Sequence, residues 1–513
     1  MASNDGLPGG DGREAVLEWP VPKFEEFIIA NRNIGSSSTV SILLTFSSPS
    51  SLDSVRVTQR ITEVQQLWPL LSITIADHRT PNPKIRYHSR SWDVGRILYR
   101  ETYNATPSNP NRERDWVYDK ALRLAQTKTA SDSDPLWRVA LFYATSDPEN
   151  HRVYLSLAID HLLIDGRGAV KLAKALVTSD ISDLPKEDIT VYKAMHGKDY
   201  SGFPPLSFII HSIFSMMVAP RLPNFIQRPM GYIPAWPRKI TQPTIDSPWK
   251  SSILDIPSSL MQELKVIGKH HGIATLNPTL HTAWVLALWA VFIPEKKRKR
   301  LCIKDTSVKD IRDISQGDSY CLGTHSSTYL WSSGRMNSQS RFWELAKSYR
   351  AASMDSKMVS NSHKIMQLVV KLKNREMKPE RCRYRSPNAT TLPAGDKRAY
   401  TRFEEGGLRK INSTSPYGGT SGIWSNLSYV PLPEGAIDML FGVSGNDLCA
   451  AFNTCVLGHE GGVRLVNAFS DGAAMTLAGV KKAEELFVRI LGEIAAEGGR
   501  DWLVGDLVKN KEG

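Results

Sequence analysis

A chain of 513 residues, 41% of them hydrophobic, is long enough for two or three ordinary domains and excludes a disordered or fibrous protein. Its net charge of +12 and pI near 9.3 would suit a nucleic acid, an anionic surface or a phosphorylated cosubstrate, but no helix-turn-helix, zinc-finger or aromatic-basic RNA signature accompanies it, which argues against nucleic acid. Its five cysteines (Cys302, Cys321, Cys382, Cys449 and Cys455) form an odd, scattered set without ligand spacing, so reduced thiols in a cytoplasmic protein are expected, with neither a disulfide framework nor a metal site.

Residues 1–16 read as a disordered leader rich in Gly and acidic residues, with no basic-then-apolar signal for secretion. Leu17-Glu-Trp-Pro-Val-Pro22 opens the ordered part. Thr39 to Phe46 predicts a strand, and Leu52 to Leu67 a helix leading into Trp68-Pro-Leu-Leu71. Asp134 to Phe142 alternates as a strand, and the turn cluster Ser146-Asp-Pro-Glu-Asn150 joins it to a second, predicting an antiparallel hairpin. In the second strand Val153, Leu155, Leu157 and Ile159 alternate with Tyr154, Ser156, Ala158 and Asp160, the pattern of a half-buried strand. Beyond Gly166 and Gly168 the period changes, and Val170, Leu172, Ala173 and Leu176 recur at helical spacing. His161 therefore stands at a strand end, on a turn into a helix. A side chain there projects from a rigid frame into a cleft, where an imidazole can act as a general base near neutral pH. The plainer reading is a histidine in a turn and an Asp165 that caps the next helix.

His161-x-x-x-Asp165-Gly166 resembles the motif of the acyltransferase superfamily that includes plant-type acyl-CoA acyltransferases, alcohol acetyltransferases and peptide-synthetase condensation domains. The strand, helix and Pro-Leu-Leu element at the entry, and Pro135-Leu-Trp-Arg138 just before the motif strand, follow the order seen in that superfamily. The resemblance implies an α/β fold, an α+β sandwich of two similar lobes, each a mostly antiparallel sheet flanked by helices, with the active site in the cleft between them. It implies that His161 takes a proton from an alcohol or amine attacking a thioester, while Asp165 turns from the substrate and holds the turn, with Gly166 completing it. The donor would be acetyl-CoA or another acyl-CoA, a cosubstrate entering from the opposite face. No permanently bound cofactor and no metal is implied.

The first lobe is expected to span 17–200. Dense proline between 180 and 250 predicts an irregular connection, placed at 201–250. Its apolar run from Pro205 to Pro220 falls short of the roughly 20 residues that span a bilayer. A buried helix or a substrate-tunnel wall is the main expectation, and weak contact with a membrane surface the other. The second lobe, 251–505, opens with a strand at Ser252 to Pro257, a helix from Ser259 to His270, the turn His271-Gly272, and an apolar helix from Pro278 to Phe292. Leu301 to Val308 reads as a strand, and the resemblance makes Arg312, soon after it, a partner for Asp165.

Ser340 to Ala352 predicts an amphipathic helix. Positive charge concentrates at Lys296-Lys-Arg-Lys-Arg300 and between Lys371 and Lys410, suited either to the phosphates of coenzyme A or to solvated loops. Residues 371–422 lose periodicity and predict a long basic loop over the cleft. Ser425-Asn426-Leu427 resembles an element of condensation-type and alcohol-acetyltransferase-type members, where such side chains steady the thioester oxygen as it becomes an oxyanion; otherwise it is a strand-end turn. Asp438 to Val443 and Leu448 to Phe452 are expected as paired strands, followed by the turn Gly458 to Gly462, a strand from Val463 to Phe469 and a closing helix from Met475 to Ala495.

Two departures narrow the resemblance. The Asp-Phe-Gly-Trp-Gly element of plant-type members is missing, which moves the likeness toward alcohol acetyltransferases and fungal trichothecene 15-O-acetyltransferase-type enzymes. Asp160 stands where condensation domains carry the first of two histidines, which argues against peptide-bond synthesis. The expectation is a monomeric, cytoplasmic O-acyltransferase, most simply an O-acetyltransferase, that acts on a small-molecule alcohol of secondary metabolism. A condensation-like cyclase or amide-forming enzyme without CoA, or a binding protein without catalysis, would use the same fold.

Overall fold

The computed structural model describes residues 15–509 except 37, 106–108, 129–133, 146–150, 196–204, 215–217, 220–221, 228, 231, 313–321, 324, 363–373, 378–399, 414–419 and 445–449. Fourteen strands are described: β1 (Ala15–Pro20), β2 (Thr39–Phe46), β3 (Ile73–Ala76), β4 (Lys84–His88), β5 (Leu98–Tyr103), β6 (Trp137–Ala144), β7 (Val153–Asp160), β8 (Trp249–Ile256), β9 (Lys304–Asp310), β10 (Ser326–Ser332), β11 (Gly422–Tyr429), β12 (Ala436–Ser444), β13 (Phe452–His459) and β14 (Gly462–Ser470). They form a small sheet β1-β4-β3, a five-stranded sheet β12-β2-β7-β6-β5 and a six-stranded sheet β10-β9-β11-β13-β14-β8.

Both large sheets are mostly antiparallel. In the five-stranded sheet only β5 and β6 run parallel, and in the six-stranded sheet β11 runs parallel to both neighbours. Helices flank both sheets, and two main hydrophobic cores follow that division. The hairpin β6–β7 is antiparallel, with Trp137 opposite Ile159. The motif strand β7, however, is buried on both faces and not on one. Tyr154 donates from its hydroxyl to Glu113 on helix Pro110–Lys128 at 2.6 Å, so the polar face of β7 lies under that helix. Small and hydroxyl-bearing side chains on that face, Ser156 and Ala158, let the helix approach.

Three expectations change. Of the expected strand Leu448–Phe452, residues 448 and 449 lie outside the described residues, and β12 does not pair with β13, which begins at Phe452. Strand β12 pairs antiparallel with β2, Met439 opposite Leu44, and so completes the sheet that carries the motif. Residues 371–422 are not wholly a loop, since helix Arg402–Ile411 forms behind a capping box in which Thr401 and Glu404 exchange side-chain and backbone bonds. That helix packs on helix Lys23–Asn33, with Phe27 and Phe403 rings 6.1 Å apart and Asn33 donating to Glu404 at 2.9 Å. Finally, helix Leu206–Ile213 within the apolar run has no buried residue, so it is not the buried helix expected there.

The second core is built around helix Leu276–Phe292, which is buried nearly all round as its continuous apolar sequence requires. Helices Ser258–His270, Phe342–Met354 and Leu477–Ala496 pack beside it. The two described cysteines, Cys302 and Cys455, are free and buried.

Candidate active site

Strand β7 ends at Asp160, and the turn that follows is fixed before the imidazole is considered. The amide of His161 donates to the carbonyl of Ser38 at 3.0 Å, while Asp160 accepts from the amide of Leu162 through its carboxylate and from that of Leu163 through its carbonyl. Asp160 also forms a buried ion pair with Arg32 at 3.4 Å. The position where condensation domains have a histidine therefore holds a carboxylate already committed to an arginine. His161 itself is half-buried, next to that pair.

Asp165 caps helix Gly166–Val177, accepting from the amide of Gly168 at 3.0 Å. The same carboxylate accepts from Arg312 at 2.8 Å and from the amide of His325 at 3.0 Å, so the capping reading and the arginine partnership are both present. Burial opposes its charge, but Arg312 and the amides of Gly168 and His325 outweigh burial and hold the carboxyl below the usual range. A buried carboxylate with three donors is an anchor that has little remaining capacity to take up a substrate proton. Arg312 bonds Asp310 as well, at 3.1 Å, and Arg167 reaches Asp310 at 3.3 Å, so the turn is tied to the end of β9.

Sequence reasoning did not find the segment that brings His325 there. Gly323 exchanges backbone hydrogen bonds with the motif turn, its amide to the carbonyl of Leu163 at 2.9 Å and its carbonyl from the amide of Asp165 at 3.2 Å. Its φ of +103° suits glycine, and an added Cβ would also meet the His325 ring at 3.0 Å. The readable signal was a glycine two residues before a histidine, between β9 and β10.

Gly166 is required by close approach. A Cβ there would lie 2.8 Å from the buried ring of Phe441 on β12 and 3.0 Å from Leu427 on β11. Gly166→Ala is expected to cost about 1–3 kcal/mol through this overpacking, despite alanine's better helix propensity. Urea unfolding of the single variant and of Gly166→Ala with Phe441→Leu checks this, and the smaller neighbour should restore much of the loss.

Ser425 and Asn426 separate. On β11, Trp424 and Asn426 both donate to Asn277 of helix Leu276–Phe292, at 2.8 and 2.7 Å, so they face the helices of the second core. Strand alternation turns Ser425 to the opposite face, where its β13 neighbour Cys455 belongs to the core shared with the motif sheet. The Asn426 amide is occupied on both sides, since its oxygen also accepts from the amide of Ser428. Leu427, two residues beyond Ser425, reaches Gly166. The structure thus gathers His161, Asp165, Gly166 and Arg312 with Leu427 at one junction and leaves Asn426 facing away.

A family model described as alcohol acetyltransferase matches residues 109–378, more than half of the chain and inclusive of the motif. No curated protein matches the sequence. Among solved structures the chain is similar to the condensation domain from the monacolin K polyketide synthase (TM-score 0.60, 10% identity, 96% of this chain and 100% of that one). It is also similar to the epimerization domain from the third module of tyrocidine synthetase B (0.56, 13%, 94% and 98%) and to the first condensation domain of the CDA synthetase (0.55, 14%, 96% and 99%). At such identities these likenesses speak to the fold, and they extend along nearly the whole length of each partner. The sequence match and the two-sheet architecture around the His161 turn together place the chain in the alcohol acetyltransferase family, on the condensation-domain fold.

Proposed function

We propose that the protein is an O-acyltransferase that moves an acyl group, most simply acetyl, from acyl-CoA to a hydroxyl of a small molecule, with His161 as general base. The observation that carries this reading is the threefold engagement of Asp165 by Gly168, Arg312 and His325, which makes the carboxylate a fixed support for the turn that carries the imidazole. The imidazole takes the acceptor's hydroxyl proton as the oxygen attacks the thioester carbonyl. The tetrahedral intermediate then expels the thiolate, which receives the same proton, leaving an ester and free CoA. Ser425, on the face toward the motif sheet, is the side chain proposed to donate to the oxyanion.

Carrier-bound amide synthesis is less well supported, because Asp160, paired with Arg32, occupies the place of the first condensation-domain histidine. The test is a thermal-shift series with acetyl-CoA, longer acyl-CoAs and free CoA, followed by thiol release with a panel of alcohols. One acyl-CoA at about 100 times its Kd should stabilise the fold by about 2.7 kcal/mol. No shift with any of them, and no thiol release above the alcohol-free rate, would overturn CoA dependence.

A further inference from the structure

The apolar run that the fold does not bury remains without a role in acyl transfer. Helix Leu206–Ile213 carries Leu206, Phe208, Ile209, Ile210 and Ile213, yet none of its residues is buried. Leu206 and Phe225 are 70% and 74% exposed, and Ile210, Ile213, Val218 and Met230 are exposed too. Phe208 and Ile209 are partly covered, so the helix turns Leu206, Ile210 and Ile213 outward, and an apolar face of this kind calls for an apolar environment from outside.

The far end of this segment is held to the second sheet. Gln227 donates to the carbonyls of Ala219 and Leu222 at 2.8 and 2.9 Å, and accepts from the amide of Tyr232. Lys304 lies over the Tyr232 ring at 4.6 Å, and Cys302 bonds Pro234 and Trp236 through its backbone. These contacts bring the end of the apolar stretch to the chain that follows Lys296-Lys-Arg-Lys-Arg300, where Lys296, Lys297, Lys299 and Arg300 are exposed. Arg238 and Lys239, just beyond Trp236, are exposed as well.

From this combination we infer that helix Leu206–Ile213 with the exposed Val218, Phe225 and Met230, together with the cations at 238–239 and 296–300, forms a docking surface for an anionic lipid bilayer. The charge decides the occupant. A second copy would bring like cations together in a chain already at +12, whereas a bilayer receives the apolar side chains at its acyl boundary and the cations at its headgroups. The eight-residue helix would lie in the interface, and no helix among the described residues is long and apolar enough to cross a membrane.

The test is co-sedimentation of the full chain with vesicles of phosphatidylcholine alone and of phosphatidylcholine with about a quarter phosphatidylserine. The unaltered protein is expected to pellet with the anionic vesicles and to be released by salt. A Leu206→Ser, Ile210→Ser, Phe225→Ser variant should lose at least about tenfold in affinity, and glutamine replacing Lys296, Lys297, Lys299 and Arg300 about fivefold per charge. All these side chains are surface groups, so circular-dichroism melts should match the unaltered protein. If the triple variant does not fold, Phe225→Ser alone serves, and the salt titration needs no variant. Failure to pellet with either vesicle, equal pelleting with both, or unchanged pelleting of the apolar variant would overturn the inference. So would a concentration-dependent dimer, seen by light scattering and abolished by the apolar substitutions, in protein that ignores vesicles.

Discussion

His161→Ala is expected to lower kcat for acyl transfer by about 10²–10⁴-fold, with little change in KM and with the fold retained. The kinetic part follows from the proposed role. A general base acts as the proton leaves the hydroxyl, so its loss raises the barrier without weakening ground-state binding. The stability part follows from what holds the turn. The His161 amide on Ser38, the Asp160 bonds to Leu162 and Leu163, the Asp160–Arg32 pair and the threefold bonding of Asp165 involve no imidazole and persist in the variant. Steady-state kinetics with acetyl-CoA and an acceptor found by the thiol-release screen would measure the first, and urea unfolding the second. Retention of most of the rate would remove His161 as the base, and loss of the fold would show that the imidazole helps build the turn.

The parts of this site that could be read in the sequence are those written in local chain geometry. Alternation up to Asp160, the two glycines and the helical period from Val170 put His161 at a strand-to-helix turn, because strand period, turn chemistry and helix period are each encoded within a few residues. What the sequence did not reveal depends on partners distant in the chain. Strand β12 looks like the companion of β13, yet its edge is taken by β2, and nothing within Ala436–Ser444 records that choice. Leu206 to Ile213 has the apolar content of a core helix, since composition reports affinity for an apolar environment and not whether the chain supplies one. Asn426 drew attention together with Ser425, although a period of two must turn adjacent strand residues to opposite faces. Helix Arg402–Ile411 was hidden by Gly406 and Gly407 and by surrounding charge, while Thr401-x-x-Glu404 carried the readable start signal.

Asp165→Asn is expected to cost about 3–5 kcal/mol near neutral pH and to lower kcat on the order of 10²-fold. Asparagine has the right shape and can cap a helix, so the loss arises from charge and donor geometry. Oδ1 of Asp165 accepts from Gly168 and Arg312 while Oδ2 accepts from the amide of His325, and an amide side chain must place an NH2 against one of these donors. Arg312 is left with Asp310, and the backbone exchange between Gly323 and the motif turn loses its neighbouring anchor. His161 then keeps its chemistry but loses its aim, which is why both stability and rate should fall.

The dependence on pH has a definite sign. Because the folded carboxyl is held below its unfolded value of about 3.9, its contribution is fully present above that pH and is lost as pH falls through the folded value. The stability gap between the unaltered protein and Asp165→Asn should therefore be constant from neutral pH down to about pH 5 and narrow below about pH 4, as urea unfolding across that range would show. A gap that stayed open in acid would assign the loss to packing, and no gap at all would mean that Arg312 and His325 do not depend on this carboxylate.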